Sequence, residues 1–268
     1  MAPVYADHPF PLIPSPKYAN IKAGQPTDLF DKCATEMACV HNLMVRNLNA
    51  IYLQAPHILP ADEHNFLNFA RIWYELLHTH HTGEEEGFFP MIEALAGEKG
   101  MMEGNVEQHH AFHDPLTAFH EYVEACYAGK DKYDGGKIVG LIDAFGPTLM
   151  QHLADEIPTI SGLRRFGSEK MKDLPKRFDE EGEKNMVSFF PHDDADTFGL
   201  LGAWRLTCGT RQIEDLWLQE AGCHVDRAGR PLRGGRARRL PAHAGPYQLS
   251  SPQCRLLVRQ WHGQVWRL

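Results

Sequence analysis

Phe66-Leu67-Asn68-Phe69-Ala70-Arg71-Ile72-Trp73-Tyr74-Glu75-Leu76-Leu77-His78-Thr79-His80-His81-Thr82-Gly83-Glu84 decides the fold. Phe66, Phe69, Trp73 and Leu76/Leu77 recur at steps of three and four, the repeat that lines side chains along one face of an α-helix. One turn further the same face carries His80, and a turn beyond that Glu84. Ionisable groups on a core-facing stripe are costly unless they are paired or bound to a metal. The helix therefore builds the core with one part and chemistry with the other.

Working outward, three more segments show the same periodicity. The helix above starts after Pro60 at Ala61-Asp62-Glu63 and runs to about Leu95. Before it, a cap at Thr27-Asp28 leads into Phe30, Cys33, Met37, Val40, Met44, Leu48 and Ile51, until Pro56. After a glycine-punctuated turn, Gly97 to Gly104, a third segment carries Val106, Phe112, Leu116, Phe119 and Val123, and stops near Gly129. A fourth carries Ile138, Leu141, Phe145, Leu149, Leu153 and Ile160, with Pro147 as a local irregularity. Short links between long amphipathic rods favour antiparallel neighbours, so the expected fold is all-α, an up-down-up-down four-helix bundle over residues 27–165.

The flanks differ from the bundle. Residues 1–26 contain Pro3, Pro9, Pro11, Pro14, Pro16 and Pro26 and read as an extended arm. They lack the basic start and apolar run of a secretory signal. Lysine vanishes after Lys184 and arginine takes over; the stretch 227–241 is rich in glycine, arginine and proline with little periodicity. Residues 166–268 are therefore expected to be a poorly structured, low-information extension, disordered or arising from a gene-model artefact.

Composition excludes several classes. The hydrophobic fraction of 43% and charged fraction of 23% suit a soluble globular chain. No run approaches the ~18 to 20 apolar residues that a membrane span needs. The formal net charge of -8 argues against tracking nucleic-acid phosphates. Six cysteines without a C-x-x-C pair suit a reducing, cytoplasmic location.

Of sixteen histidines in the chain, those that matter fall on the inward stripes. Residues four apart on a helix project from one face and can reach one metal or two adjacent ones. His80 and Glu84 extend the second stripe; His109 and His113 lie with Val106, Leu116, His120 and Val123 on the third; His152 and Glu156 continue the fourth; His41 lies with Met37, Met44 and Leu48 on the first. Singly, each is as well explained by a satisfied core histidine or a surface hydrogen-bonded pair. Jointly, a donor set on each of four consecutive helices implies a metal centre. Spacing alone leaves one register open, because His81 and Glu85 are separated as His80 and Glu84 are.

The string His80-His81-Thr82-Gly83-Glu84-Glu85-Glu86-Gly87-Phe88-Phe89-Pro90 resembles the H-H-x-x-E-E-x-x-x-F-P signature of the hemerythrin-like HHE cation-binding family. Glu107-Gln108-His109-His110-Ala111-Phe112-His113 and His152-Leu153-Ala154-Asp155-Glu156 are similar to its third- and fourth-helix motifs. The resemblance covers about residues 27 to 160. It implies that Glu84, partnered by His80, is the ligand, leaving His81 and Glu85 to the surroundings of the site or the surface. It also implies two non-haem iron ions, one on His109, His113 and His152, the other on His41 and His80, with Glu84 and Glu156 bridging. His57, His64, His78, His110 and His120 are expected not to be ligands. The carboxylate four residues after His152, with Ile157 following, resembles cellular members more than the oxygen carriers.

Imidazole suits iron, zinc, copper and nickel, and bridging carboxylates favour iron or manganese, so zinc and manganese are the alternatives to iron. Five imidazoles, two bridging carboxylates and a bridging hydroxide or oxide fall one bond short of filling two octahedral ions. The expected partner is a small molecule, O2, NO or peroxide, which the protein binds or senses. The alternatives are an enzyme that removes peroxide or NO, and an iron-storage or iron-sensing protein.

Overall fold

The computed structural model describes residues 6–189, and among them every regular element is helical. The helices are α1 (Pro16–Ala23), α2 (Leu29–Gln54), α3 (Glu63–Gly83), α4 (Phe89–Ala96), α5 (Glu103–Tyr127), α6 (Gly135–Gly162) and α7 (Leu174–Phe189). Four long ones, α2, α3, α5 and α6, close a ring in which each packs on its chain neighbour and α6 returns to α2. That is the expected four-helix bundle.

Local chemistry explains the ends. Asp28 caps α2 by accepting from the amides of Phe30 and Asp31 at 2.9 Å each, and Asp31 accepts the Asp28 amide at 3.1 Å, a reciprocal capping box. Asp134 accepts the Lys137 amide at the start of α6. Gly97 ends α4 at φ 66°, a left-handed conformation that only glycine adopts cheaply. The second rod is not one continuous α-helix. Between α3 and α4, Glu84–Phe88 form a π-turn in which the Phe89 amide reaches back to the Glu84 carbonyl. Pro90 accounts for it: an imide has no N–H, and its ring crowds the preceding turn, which a wider turn relieves. In contrast α6 runs unbroken through Pro147 and Pro158.

The core is aromatic at its middle. The Trp73 ring stacks on Phe145 at 5.9 Å and meets Phe119 edge-on at 5.7 Å, so one side chain ties α3 to α5 and α6. Its indole N–H donates to the Met44 carbonyl of α2 at 3.0 Å. Leu48, Ile51, Leu77, Ile142 and Leu149 are fully buried in the same core.

Both flanks hold more structure than composition suggested. The N-terminal arm contains α1, and it is latched to α2 by two buried amides. Asn49 accepts the Phe10 amide and donates to the carbonyls of Ala6 and Phe10; Asn42 makes a two-way pair with Ile13. The Phe10 ring lies against Gly146, where a Cβ would come within 2.5 Å of it. At the other end, the expected low-information extension begins with a packed helix. Met171 and Leu174 are fully buried, and Phe178 of α7 meets Phe88 edge-on at 4.8 Å. Composition could not reveal this, since Leu174 and Phe178 anchor a segment whose residues 176–184 are mostly charged. Residues 190–268, with the arginine-rich stretch, lie outside the described residues.

Candidate metal centre

Four helices aim donors at one point in the bundle. From α2 comes His41, whose side chain is 0% exposed. Its Nδ1–H donates to the Leu153 carbonyl at 2.9 Å, and a carbonyl can only accept, so the Nε2 lone pair of the neutral ring faces inward. That Nε2 lies 3.1 Å from His80 Nε2 and 3.2 Å from Glu156 Oε2. From α3 and the π-turn come His80, His81 and Glu84. His80 Nε2 is 2.9 Å from Glu84 Oε1, while Glu84 Oε2 is 3.4 Å from His109 Nε2.

His109 of α5 and His152 of α6 complete the constellation. His109 Nδ1–H donates to Glu85 at 2.6 Å, and His152 Nδ1–H donates to the Gln108 side-chain oxygen at 3.1 Å. Both protons are thus committed outward. Their two Nε2 atoms nonetheless stand 3.0 Å apart, lone pair against lone pair when both rings are neutral. Such a contact is unfavourable without a cation.

The carboxylates make the same demand. Glu84 and Glu156 are 2% and 0% exposed, and none of their four oxygens has a donor aligned for a hydrogen bond; His81 Nε2 is likewise buried without a partner. Burial of this kind disfavours charge on Glu156, whereas at Glu84 the surrounding imidazoles overcome it. Two groups of donors, His81, Glu84, His109 and His152, and His41, His80, Glu84 and Glu156, each have their donor atoms within 4.8 Å of one another. Glu84 belongs to both. Buried acids without donors and imidazoles with bare inward nitrogens fit a pair of metal ions better than they fit a packed core.

Electrostatics divides the histidines. Burial, reinforced by His109, pulls the pKa of His152 down to about 3, and the same two causes hold His81 well below the ordinary value. Burial also opposes charge on His80 and His109, but the Glu84 carboxylate outweighs it and raises both; Glu85 adds to the rise at His109. Glu84 is held well below the usual carboxylate range, because the imidazoles around it overcome its burial. Glu156 is raised by burial and by Glu84. Phe112 packs on His81 and His152, and Phe89 on His109, so the surroundings are apolar.

Six of the seven residues expected from sequence, His41, His80, Glu84, His109, His152 and Glu156, converge. His113 does not. Its side chain is 69% exposed and its Nδ1 bonds only Asp114. The buried positions of α5, Tyr122 aside, run Asn105, His109, Phe112, Leu116, Phe119, Val123 and Cys126, alternating steps of four and three. One turn beyond His109 the inward place therefore belongs to Phe112, and a stripe drawn through Val106 and His113 was a residue out of register. His81, expected around the site or at the surface, instead lies buried in one donor group with Glu84, His109 and His152. A signal for it exists: Leu76-Leu77 are both buried, so the stripe of α3 is two residues wide, and four residues on the doublet is His80-His81. Glu84 stands three residues from one and four from the other, which is why it touches both groups. His57, His64, His78 and His110 are exposed, and His120 stacks on Tyr74 away from the cluster.

The comparisons with known proteins agree with this geometry. Residues 36–158 match the model of the hemerythrin HHE cation-binding domain. The chain is 33% identical over 167 residues to a protein of Cryptosporiopsis sp. (strain 8999) named dimeric xanthone biosynthesis cluster protein R11, a match that covers 62% of this chain and 62% of that relative's length. No solved structure matches. A helical ring with histidines and glutamates converging in its core, and a family match over the helices that bear them, lead to one conclusion: residues 36–158 are similar to the hemerythrin HHE cation-binding domain.

Proposed function

We propose that His41, His80, His81, Glu84, His109, His152 and Glu156 hold two non-haem iron ions, and that the protein binds or senses O2 or a related small oxidant there. One observation carries the reading: the 3.0 Å approach of His109 and His152 through nitrogens whose protons are committed elsewhere. Two neutral imidazoles repel at that separation, and a metal ion beside the two nitrogens relieves the repulsion, as a proton on His109 also would. The imidazole-rich donor set favours iron, with zinc and manganese as alternatives.

An iron pair, when bound, supplies one-electron chemistry and an exchangeable position for a small ligand. The chain's own contribution is to orient and insulate. His41, His109 and His152 are each fixed by an outer acceptor, so their donor atoms need no reorganisation on loading. Phe89 and Phe112 keep the surroundings apolar, which strengthens charge interactions inside. His80, 12% exposed, is the most exposed donor of the seven and marks the side nearest solvent. Among the described residues no helix is long and apolar enough to cross a membrane.

A second reading is an enzyme that consumes peroxide or NO at the same donors, and the relative's name, which ties that protein to a biosynthesis cluster, favours turnover over storage. Metal analysis and an optical spectrum of protein purified in air test the iron pair: two irons per chain with oxo-bridged ferric bands are expected, and a colourless protein with zinc or no metal would overturn it. Stopped-flow mixing with peroxide or NO separates a stoichiometric adduct from multiple turnovers.

A further inference from the structure

The two donor groups are supported differently from outside. Behind His41 stands a backbone carbonyl, Leu153 O, which no side-chain substitution can remove. Behind His109 and His152 stand side chains only. The Gln108 amide is oriented by its far end: its Nε2 donates to Asp155 Oδ2 at 3.2 Å, and a carboxylate can only accept. That contact turns the Gln108 oxygen toward His152 and obliges His152 to donate through Nδ1. Asp155 is itself held by Gln151, whose amide donates to its other oxygen at 2.7 Å. A chain of three hydrogen bonds thus runs from the exposed Gln151 through Asp155 and Gln108 to a buried imidazole. Glu85 does the same for His109 in a single step.

We propose that Gln108 and Asp155, together with Glu85, are positioning residues that set the tautomers of His152 and His109 and so decide whether the three-histidine position retains its metal. The two-histidine, two-glutamate position does not depend on them. This rests on the metal-pair reading above and adds to it an inequivalence: one position is tuned by side chains reaching the surface, the other by the backbone. Without the Gln108 oxygen, the Nδ1–H of His152 is a buried donor with no partner. The ring is then free to place its proton on Nε2, where it faces the cation. Loss of such an outer partner weakens metal affinity by roughly 10–100-fold.

The test is anaerobic titration with ferrous iron, following stoichiometry and affinity, on wild type, Gln108→Leu, Gln108→Glu and Asp155→Ala. Wild type takes up two equivalents. Gln108→Leu keeps one at wild-type affinity and loses roughly 10–100-fold on the other; Gln108→Glu, which still offers an oxygen to Nδ1, holds both within a few-fold. Asp155→Ala weakens the same single equivalent, and because Asp155 is partly exposed this variant carries the test should Gln108→Leu not fold. Melting of the chelator-treated variants matches that of chelator-treated wild type, separating positioning from general destabilisation. Two undisturbed equivalents in Gln108→Leu, equal weakening of both, or a Gln108→Glu variant as deficient as Gln108→Leu overturns the inference while leaving the metal pair intact. A wild type that binds no iron removes the metal pair, and the inference falls with it.

Discussion

Exchanging His81 and His113 for alanine, one at a time, separates the structure from the spacing of the motif. His81 is buried, stacks on His109 at 4.2 Å and brings an unpartnered Nε2 to the three-histidine group; His113 is 69% exposed. Four-ligand structural metal sites bind with about 10–16 kcal/mol, so one ligand is worth about 3 kcal/mol, roughly a hundredfold in affinity. His81→Ala is therefore expected to lower metal content at its position about a hundredfold under competition, and His113→Ala to leave both positions filled. The metal-free proteins provide a control. Removing His81 loses packing on His109 and Phe112 but also removes a buried unpaired nitrogen, so the chelator-treated melting transition should move little. Elemental analysis after desalting against a weak chelator reads the difference. Metal lost from His113→Ala and kept by His81→Ala would refute the placement of both residues.

Other expectations follow from the same geometry. Glu156→Gln removes a buried charge that no donor satisfies, and should stabilise the metal-free bundle by about 1–3 kcal/mol in urea while weakening metal binding; destabilisation of both forms would contradict it. Metal affinity should fall as pH drops from neutral, because His80 and His109, raised by Glu84, must release protons to bind, at up to roughly tenfold per proton per pH unit. A titration flat between pH 8 and about 5.5 would exclude this. Without metal, His152, at about 3 in the folded chain, makes folding itself sensitive to acid in the same direction. The unfolded chain takes up its proton first, so the contribution is complete above the ordinary histidine value and lost as pH falls toward 3, by up to about 1.4 kcal/mol per unit. His81 acts in the same sense; His80 and His109, raised, act in the reverse sense, so the net slope in chelator-treated protein is shallower than His152 alone would give. Asn49→Ala breaks three hydrogen bonds to the N-terminal arm, one buried and two part-buried, and should cost about 3 kcal/mol, read by urea unfolding and by protease cleavage near Phe10; a cost below about 1 kcal/mol would mean that the arm is held by packing alone.

Periodicity by itself determined the four rods, their order and the core they share, because a helix repeats every 3.6 residues whatever surrounds it. Asp28 announced the start of α2, and the recurrence of histidine and glutamate on apolar stripes announced a metal centre. Tertiary structure decided which of two neighbouring side chains faces in. Over several turns the difference between a step of three and a step of four accumulates, and on α5 that drift sends Phe112 rather than His113 to the core. On α3 the stripe is wide enough for His80 and His81 together, a width that depends on how far the neighbouring helices stand away. Packing likewise chose the outer acceptors, Leu153 O, Glu85 and Gln108, since hydrogen bonds between residues 24, 44 or 112 positions apart leave no trace in local spacing.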